Sequence, residues 1–454
     1  MRRTPSRRRT TATSMAALTA GALILAGCSS SSGGGTTSSS ATSDGPCGTK
    51  AATTLTVGLF GTFGFKENGL WDAYKKVCPN ITVQEDVVEQ SADYWTRLKT
   101  RLASGTGLDD VQAIEIGFVA DVVQNHANQF VNWNSVPNAA ADKAEFFPWK
   151  WGQASNAEGS VTVGLGTDIG PEAICYRKDL LAAAGLPSDP ATLATKWSTW
   201  EDFIAFGKQY EASATKPKDS RFVDSAASIF STAVYQGTEA YADASGKTDV
   251  ANSDGVKSAW GYATQAAAAK VTAGLQQFSP PWNKAFSSGS FATIACPTWM
   301  MGYIQGQAGP TYAGKWAIAP VLPGGATNWG GSWLGVPKAA KNQAAAVALV
   351  QWLSAKDQQV TMWTSAKQGG HFPSNSHAAA DSSVASATSA YFDNAPVGTL
   401  FGAIAGKMKV PPIGLYDTQI QNALTTQLTN VETKGTAPDK AFADALAAIK
   451  QVTG

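Results

Sequence analysis

The 454-residue sequence predicts an α/β fold. Over the first third of the chain, apolar runs with strand character alternate with amphipathic stretches of helical period. Gly, Asp and Pro close those runs and break their periodicity. The second half is richer in Ala and other helix formers, with no internal repeat and no heptad run. Alternation of this kind gives mostly parallel sheets flanked by helices.

Taken in order, Leu55–Phe60 reads as a strand and Gly61–Gly64 as the loop at its end. Leu70–Val77 reads as a helix, and Ile81–Val88 alternates as a second strand. Tyr94–Ala103 is amphipathic, with Trp95, Leu98 and Leu102 on one face. Val111–Ile114 is a third strand ending at Glu115, and Val119–Asn128 looks helical. Ligands collect outside the carboxyl ends of such strands, which singles out Phe63 and Glu115. Further on, Trp200–Tyr210, Val256–Ala269, Ala344–Leu353 and Asp439–Ile449 read as helices and Ala313–Pro320 as a strand.

The stretch 161–180 organises the middle of the chain. Val161–Leu165 reads as a strand, Gly166–Pro171 breaks it, and Ala173–Tyr176 restarts a buried strand before Arg177–Asp179 opens a helix. Such a break fits a crossover between two domains and leaves Asp168 at the crossing, where ligands tend to sit. An ordinary hairpin loop reads the same residues equally well.

Composition excludes several classes. Hydrophobic residues make up 44% and charged residues 15%, too polar for multiple membrane spans. Residues 1–27 carry five Arg and no acid, so without them 30 basic residues face 34 acidic ones, a formal charge of −4. Nothing in that balance asks for nucleic acid. The same segment has a basic start and a short apolar run, Met15–Ala26, as a signal peptide does. Leu25-Ala26-Gly27-Cys28 resembles the bacterial lipobox, so Cys28 is the expected lipidation site and 28–49 a flexible Gly/Ser/Thr tether. Four Cys remain, and outside the cytosol they are expected to pair, with three connectivities open. No CxxC occurs and His126, His371 and His377 do not cluster with them, so neither a metal site nor a cofactor is expected.

Three separated blocks carry a family likeness. They are Gly164–Asp179 with Leu181–Pro187 and Trp197–Phe203, then Gly289–Ile304, then Asn328–Gln359. In the same order they resemble the extracellular sugar-binding proteins of bacterial ABC importers, with the nearest likeness to actinobacterial lipoproteins for cellobiose and related oligosaccharides. The resemblance covers nearly everything after residue 50. It implies two α/β lobes joined by a hinge, 50–167 plus 330–370 and 168–329 plus 371–454. It also implies a monomeric, non-enzymatic, lipid-anchored protein on the outer face of the cytoplasmic membrane, handing an oligosaccharide to membrane permease subunits. Among the disulfide connectivities, Cys47–Cys78 and Cys175–Cys296 is favoured. The first two cysteines each shortly precede a strand, and the last two lie in strands of the matching blocks.

The chemistry expected of such a site is an aromatic face against the C–H face of a pyranose, with polar groups around it for the hydroxyls. Trp95, Trp352 and Trp363 lie in helical patterns and read as packing. Trp299, Trp329 and Trp333 fall in the matching blocks, the last two flanking Gly330-Gly331-Ser332, and are expected to face the ligand with Gly331. Phe63, Glu115 and Asp168 complete the candidate set. Glu89 and Asp121 are weaker, since a solvated or helix-starting acid explains them. Two carboxylates beside aromatics also describe a glycoside hydrolase, the enzyme alternative, and a sugar sensor would use the same site. No GxSxG, HExxH or P-loop is present.

Overall fold

The computed structural model describes residues 45–243, 247–365 and 370–454. The expected signal segment 1–27, the lipidation site Cys28 and the tether up to residue 44 lie outside the described residues. Among those described, no helix is long and apolar enough to cross a membrane.

Among the described residues eleven strands run in chain order: β1 (Thr53–Phe60), β2 (Ile81–Val88), β3 (Val111–Glu115), β4 (Leu165–Gly166), β5 (Asp168–Ile169), β6 (Glu172–Arg177), β7 (Arg221–Val223), β8 (Phe291–Pro297), β9 (Trp316–Ala319), β10 (Ser332–Gly335) and β11 (Phe372–Pro373). The first lobe is built on the sheet β2-β1-β3-β10-β4 and the second on β7-β8-β6-β9. Among these strands only β1 with β2, β1 with β3, and β7 with β8 pair in parallel. The sheets are therefore mixed rather than mostly parallel. Strands that follow a passage between lobes enter their sheet against its direction, β10 in the first and β6 in the second.

Residue pattern explains what each strand buries. The first sheet and its helices close one apolar core that runs from Leu55 and Tyr94 to Leu334, Leu349 and Met362. In the second sheet β6 is buried on both faces, so alternate residues serve different cores. Ile174 and Tyr176 join Trp197, Phe203 and Phe222 on one side. Ala173 and Cys175 join Trp282, Phe286 and Trp316 on the other. Cys175 is bonded to Cys296 there, and Cys47 to Cys78 at the edge of the first core. The helix Trp200–Ala212 starts where Thr199 Oγ1 accepts from the Asp202 N–H, a cap worth about 1 kcal/mol.

The segments between the sheets run side by side. Thr167 N–H donates to Ser332 O at 2.9 Å, and Trp329 N–H to Gly170 O at 2.8 Å. Ser332 N–H donates to Asp168 Oδ1 at 3.0 Å, Gly170 N–H to Asn328 Oδ1 at 2.8 Å, and β5 pairs with β11. The stretch 161–180 is thus a passage between lobes and not a hairpin, and of the expected strand Val161–Leu165 only the end, in β4, is one. Gly331 sits at φ +100°, where an added Cβ would lie 2.7 Å from both Asp168 O and Lys150 Nζ. Only Gly fits there.

Candidate functional site

A cleft of about 190 Å³ opens between the lobes. From the first lobe it is lined by Glu115, Gly117 and Gln153. The second lobe supplies Tyr235, Asn328, Trp329, Asp417 and Gln421. A larger groove of about 650 Å³ runs along the second lobe beside Ile318 and Leu400, but no residue of the first lobe reaches it.

Glu115 reaches the cleft because β3 ends there. Its backbone turns into the helix Ile116–Asp121, and its own Oε2 accepts the Gly117 N–H at 2.9 Å. Burial pushes its carboxyl up to about 7, against the Gly117 N–H and the Lys150 ammonium, with Asp168 adding to the rise. Lys150 is buried at 1% exposure, and its Nζ lies 3.3 Å from the centre of the Trp333 ring with no hydrogen-bond partner among the described residues. Burial brings its ammonium down to about 7, opposed by Asp168 and Glu115. Across the cleft, Asp417 accepts the Gly414 N–H at 3.0 Å, and burial raises its carboxyl to about 7. Gln153 Oε1 is buried without a partner among the described residues. A cleft with carboxyls poised near neutrality and an unpaired amide oxygen can exchange hydrogen bonds with neutral hydroxyls in either sense.

Five of the seven expected site residues separate into three groups. Glu115 and Trp329 line the cleft. Asp168 and Gly331 are buried in the passage between lobes, where Asp168 holds Ser332 and Thr167 and faces His371 at 3.9 Å. Burial lowers the His371 imidazole, against the pull of Asp168. Trp299 stands behind Trp329, half-buried, donating from Nε1 to Trp329 O at 2.8 Å.

Two expectations are corrected. Trp333 is fully buried in the first core and donates to Lys150 O at 3.2 Å. Its strand, β10, lies between β3 and β4, so alternation turns the indole inward. Phe63 is 7% exposed, because the loop after β1 folds back and packs its ring against Phe60 and Phe65. Sequence reasoning missed Lys150, Gln153, Tyr235 and the helix start at Asp417. The spacing of Ile420, Leu424 and Leu428 could have found that helix, though not its place at the cleft.

Residues 69–391 match the family described as bacterial extracellular solute-binding protein. A solved structure of an extracellular solute-binding protein of family 1 is 33% identical, with a TM-score of 0.77 over 88% of this chain and 100% of that one. More distant structures share the fold. An ABC transporter-associated binding protein from B. animalis subsp. lactis, solved with β-1,6-galactobiose, is 19% identical with a TM-score of 0.71 over 88% and 96% of the two chains. A receptor of Streptomyces glaucescens solved with acarbose is also 19% identical, with a TM-score of 0.69 over 88% and 98%. No curated protein matches the chain. With more than two thirds of its length in register with that family, the chain belongs to the bacterial extracellular solute-binding proteins.

Proposed function

We propose that this is the lipid-anchored substrate-binding component of an ABC sugar importer, capturing a neutral oligosaccharide between its lobes and delivering it to the permease. The observation that carries the reading is the cleft itself: an indole, Trp329, beside Glu115, Asn328 and Gln421. An aromatic face with hydroxyl-binding groups around it is what a pyranose needs. The sugars in the complexes of structurally similar proteins support the same class. Cellobiose or short cellodextrins are the first ligands to try. The proposed lobes are 50–167 plus 330–370 and 168–329 plus 371–454, closing as a monomer. Two of the apolar cores, one on each sheet, support a division of this kind. Closure follows from better ligand contacts in the closed state. Cys28 is the proposed anchor, so Cys28→Ser should release the protein from membranes.

A thermal-shift panel of cellobiose, xylobiose and maltose tests the reading. Ligand at ~100 times its dissociation constant should add about 2.7 kcal/mol. Binding should survive EDTA, since among the described residues no group of His, Cys, Asp and Glu could hold a metal ion. A sugar recovered shortened would favour a hydrolase and sink the proposal.

A further inference from the structure

Phe278 lies outside the lining of the cleft. It is 41% exposed, and its φ of +62° is a left-handed conformation that bulky L residues rarely adopt. The surrounding hydrogen bonds impose it. Asp224 is buried at the base of the loop and accepts from Gln277 Nε2 at 3.3 Å and from Trp282 Nε1 at 2.9 Å, one on each side of Phe278. Leu275 N–H donates to Asp224 O at 3.1 Å, and Ser279 caps the helix Pro280–Ser288. Strain held in place this way points to a use for the side chain.

The ring is presented in one direction. It stacks on Trp299, with centroids 6.3 Å apart and planes 20° apart, and meets the edge of Tyr303 at 5.8 Å. Trp299 meets Trp329 edge-on at 5.3 Å, and Trp329 lines the cleft. Three rings therefore lead from the cleft wall to solvent. Tyr303 is held in turn by its phenol, which donates to Asn283 Oδ1 at 2.6 Å.

We propose that Phe278 is the outer aromatic platform of the binding cleft, stacking on a sugar ring beyond those held at Glu115 and Trp329 and favouring longer oligosaccharides. This rests on the carbohydrate reading above. The exposed face of the ring would take the C–H face of a pyranose.

The test is calorimetric titration of the wild type, Phe278→Ala and Phe278→Gly with di-, tri- and tetrasaccharides of the cello, xylo and malto series. Wild-type affinity should rise with chain length. Both variants should lose that rise, giving up roughly tenfold more affinity for the tetrasaccharide than for the disaccharide. Phe278→Gly should not lower the unfolding midpoint, because Gly accepts the left-handed backbone. Equal losses at every chain length, with a lower midpoint in both variants, would make Phe278 a packing residue and overturn the proposal. A wild type that binds a disaccharide but gains nothing from added rings would overturn it too, while leaving the carbohydrate reading intact. A wild type that binds none of the panel removes that reading first, and the proposal with it.

Discussion

The two lobes handle buried charge in opposite ways. In the first, Glu115 shares its surroundings with the Lys150 ammonium, and the two shift toward each other, both to about 7. In the second, burial raises Glu172 to about 8, Asp417 and Glu432 to about 7 and Asp224 to about 6, with only neutral donors opposing the shifts. Glu172 is 1% exposed and takes a 3.1 Å bond from Thr232 Oγ1. Asp224 is tied to Trp282, Gln277 and Ser225. The contrast shows two routes to a tolerable buried acid: a nearby cation, or protonation. The cleft lies between the two kinds, with Glu115 on one wall and Asp417 on the other.

The largest expected effect is a pH dependence of stability that comes mainly from the second lobe. A carboxyl whose folded pKa lies above its unfolded value stabilises the fold fully below the unfolded value. That stability is lost as pH rises through the folded one. For Glu172 the window runs from the ordinary Glu range to about 8. Lys150, lowered to about 7, has the opposite slope only above that value, so pH 5 to 7 isolates the acids. The unfolding midpoint should fall between pH 5 and 7, each fully buried acid contributing up to ~1.4 kcal/mol per pH unit. Glu172→Gln keeps the shape without the titration and should flatten part of that slope. A midpoint independent of pH, or a mutant slope equal to that of the wild type, would break the contrast between lobes.

Next in size is the pair Trp333 and Trp329, four positions apart in sequence and on opposite sides of Gly330–Ser332. Trp333 packs in the first core under Lys150, so Trp333→Ala should cost ~3–5 kcal/mol of stability. Trp329 is half-buried at the cleft, so Trp329→Ala should cost roughly 2 kcal/mol of ligand affinity and much less stability. Unfolding midpoint and affinity, measured on both mutants, separate the two roles. The reverse pattern would return Trp333 to the ligand site.

That pair also marks where sequence reading stops. The alternation from β1 to β3 was legible because each element is amphipathic on its own and packs on near neighbours. Glu115 was legible because a strand end in an α/β sheet is a local property. The inward turn of Trp333 was not, since it depends on β10 being inserted between β3 and β4, strands more than 160 residues earlier. A Trp beside Gly-Gly looks the same whether those glycines open a ligand site or let Asp168 and Lys150 come close. The second wall of the cleft was least legible. Beyond the segment Asn328–Trp329, its residues come from Tyr235 and the start of the helix Asp417–Lys434, and only tertiary packing brings them together.

The smallest expected effect concerns a place where that late helix touches the first lobe directly at the cleft. Thr418 Oγ1 donates to Gly117 O at 2.7 Å, on the same residue whose N–H donates to Glu115 Oε2. Ile413, just before the helix, packs against the first core. An added Cβ on Gly117 would stand 2.9 Å from both Thr418 Oγ1 and Glu115 Oε2, so the approach depends on Gly. If this bond belongs to the closed arrangement, losing it should favour the open one and weaken ligand binding without contact to the ligand. Thr418→Val keeps the side-chain shape and removes the donor. The expected loss is about 1 kcal/mol of affinity, the net worth of one hydrogen bond, with a smaller change in unfolding midpoint. Gly117→Ala should act in the same direction by crowding the contact. Unchanged affinity in both variants would mean that the lobes close without this contact. The cleft would then be held shut by ligand alone.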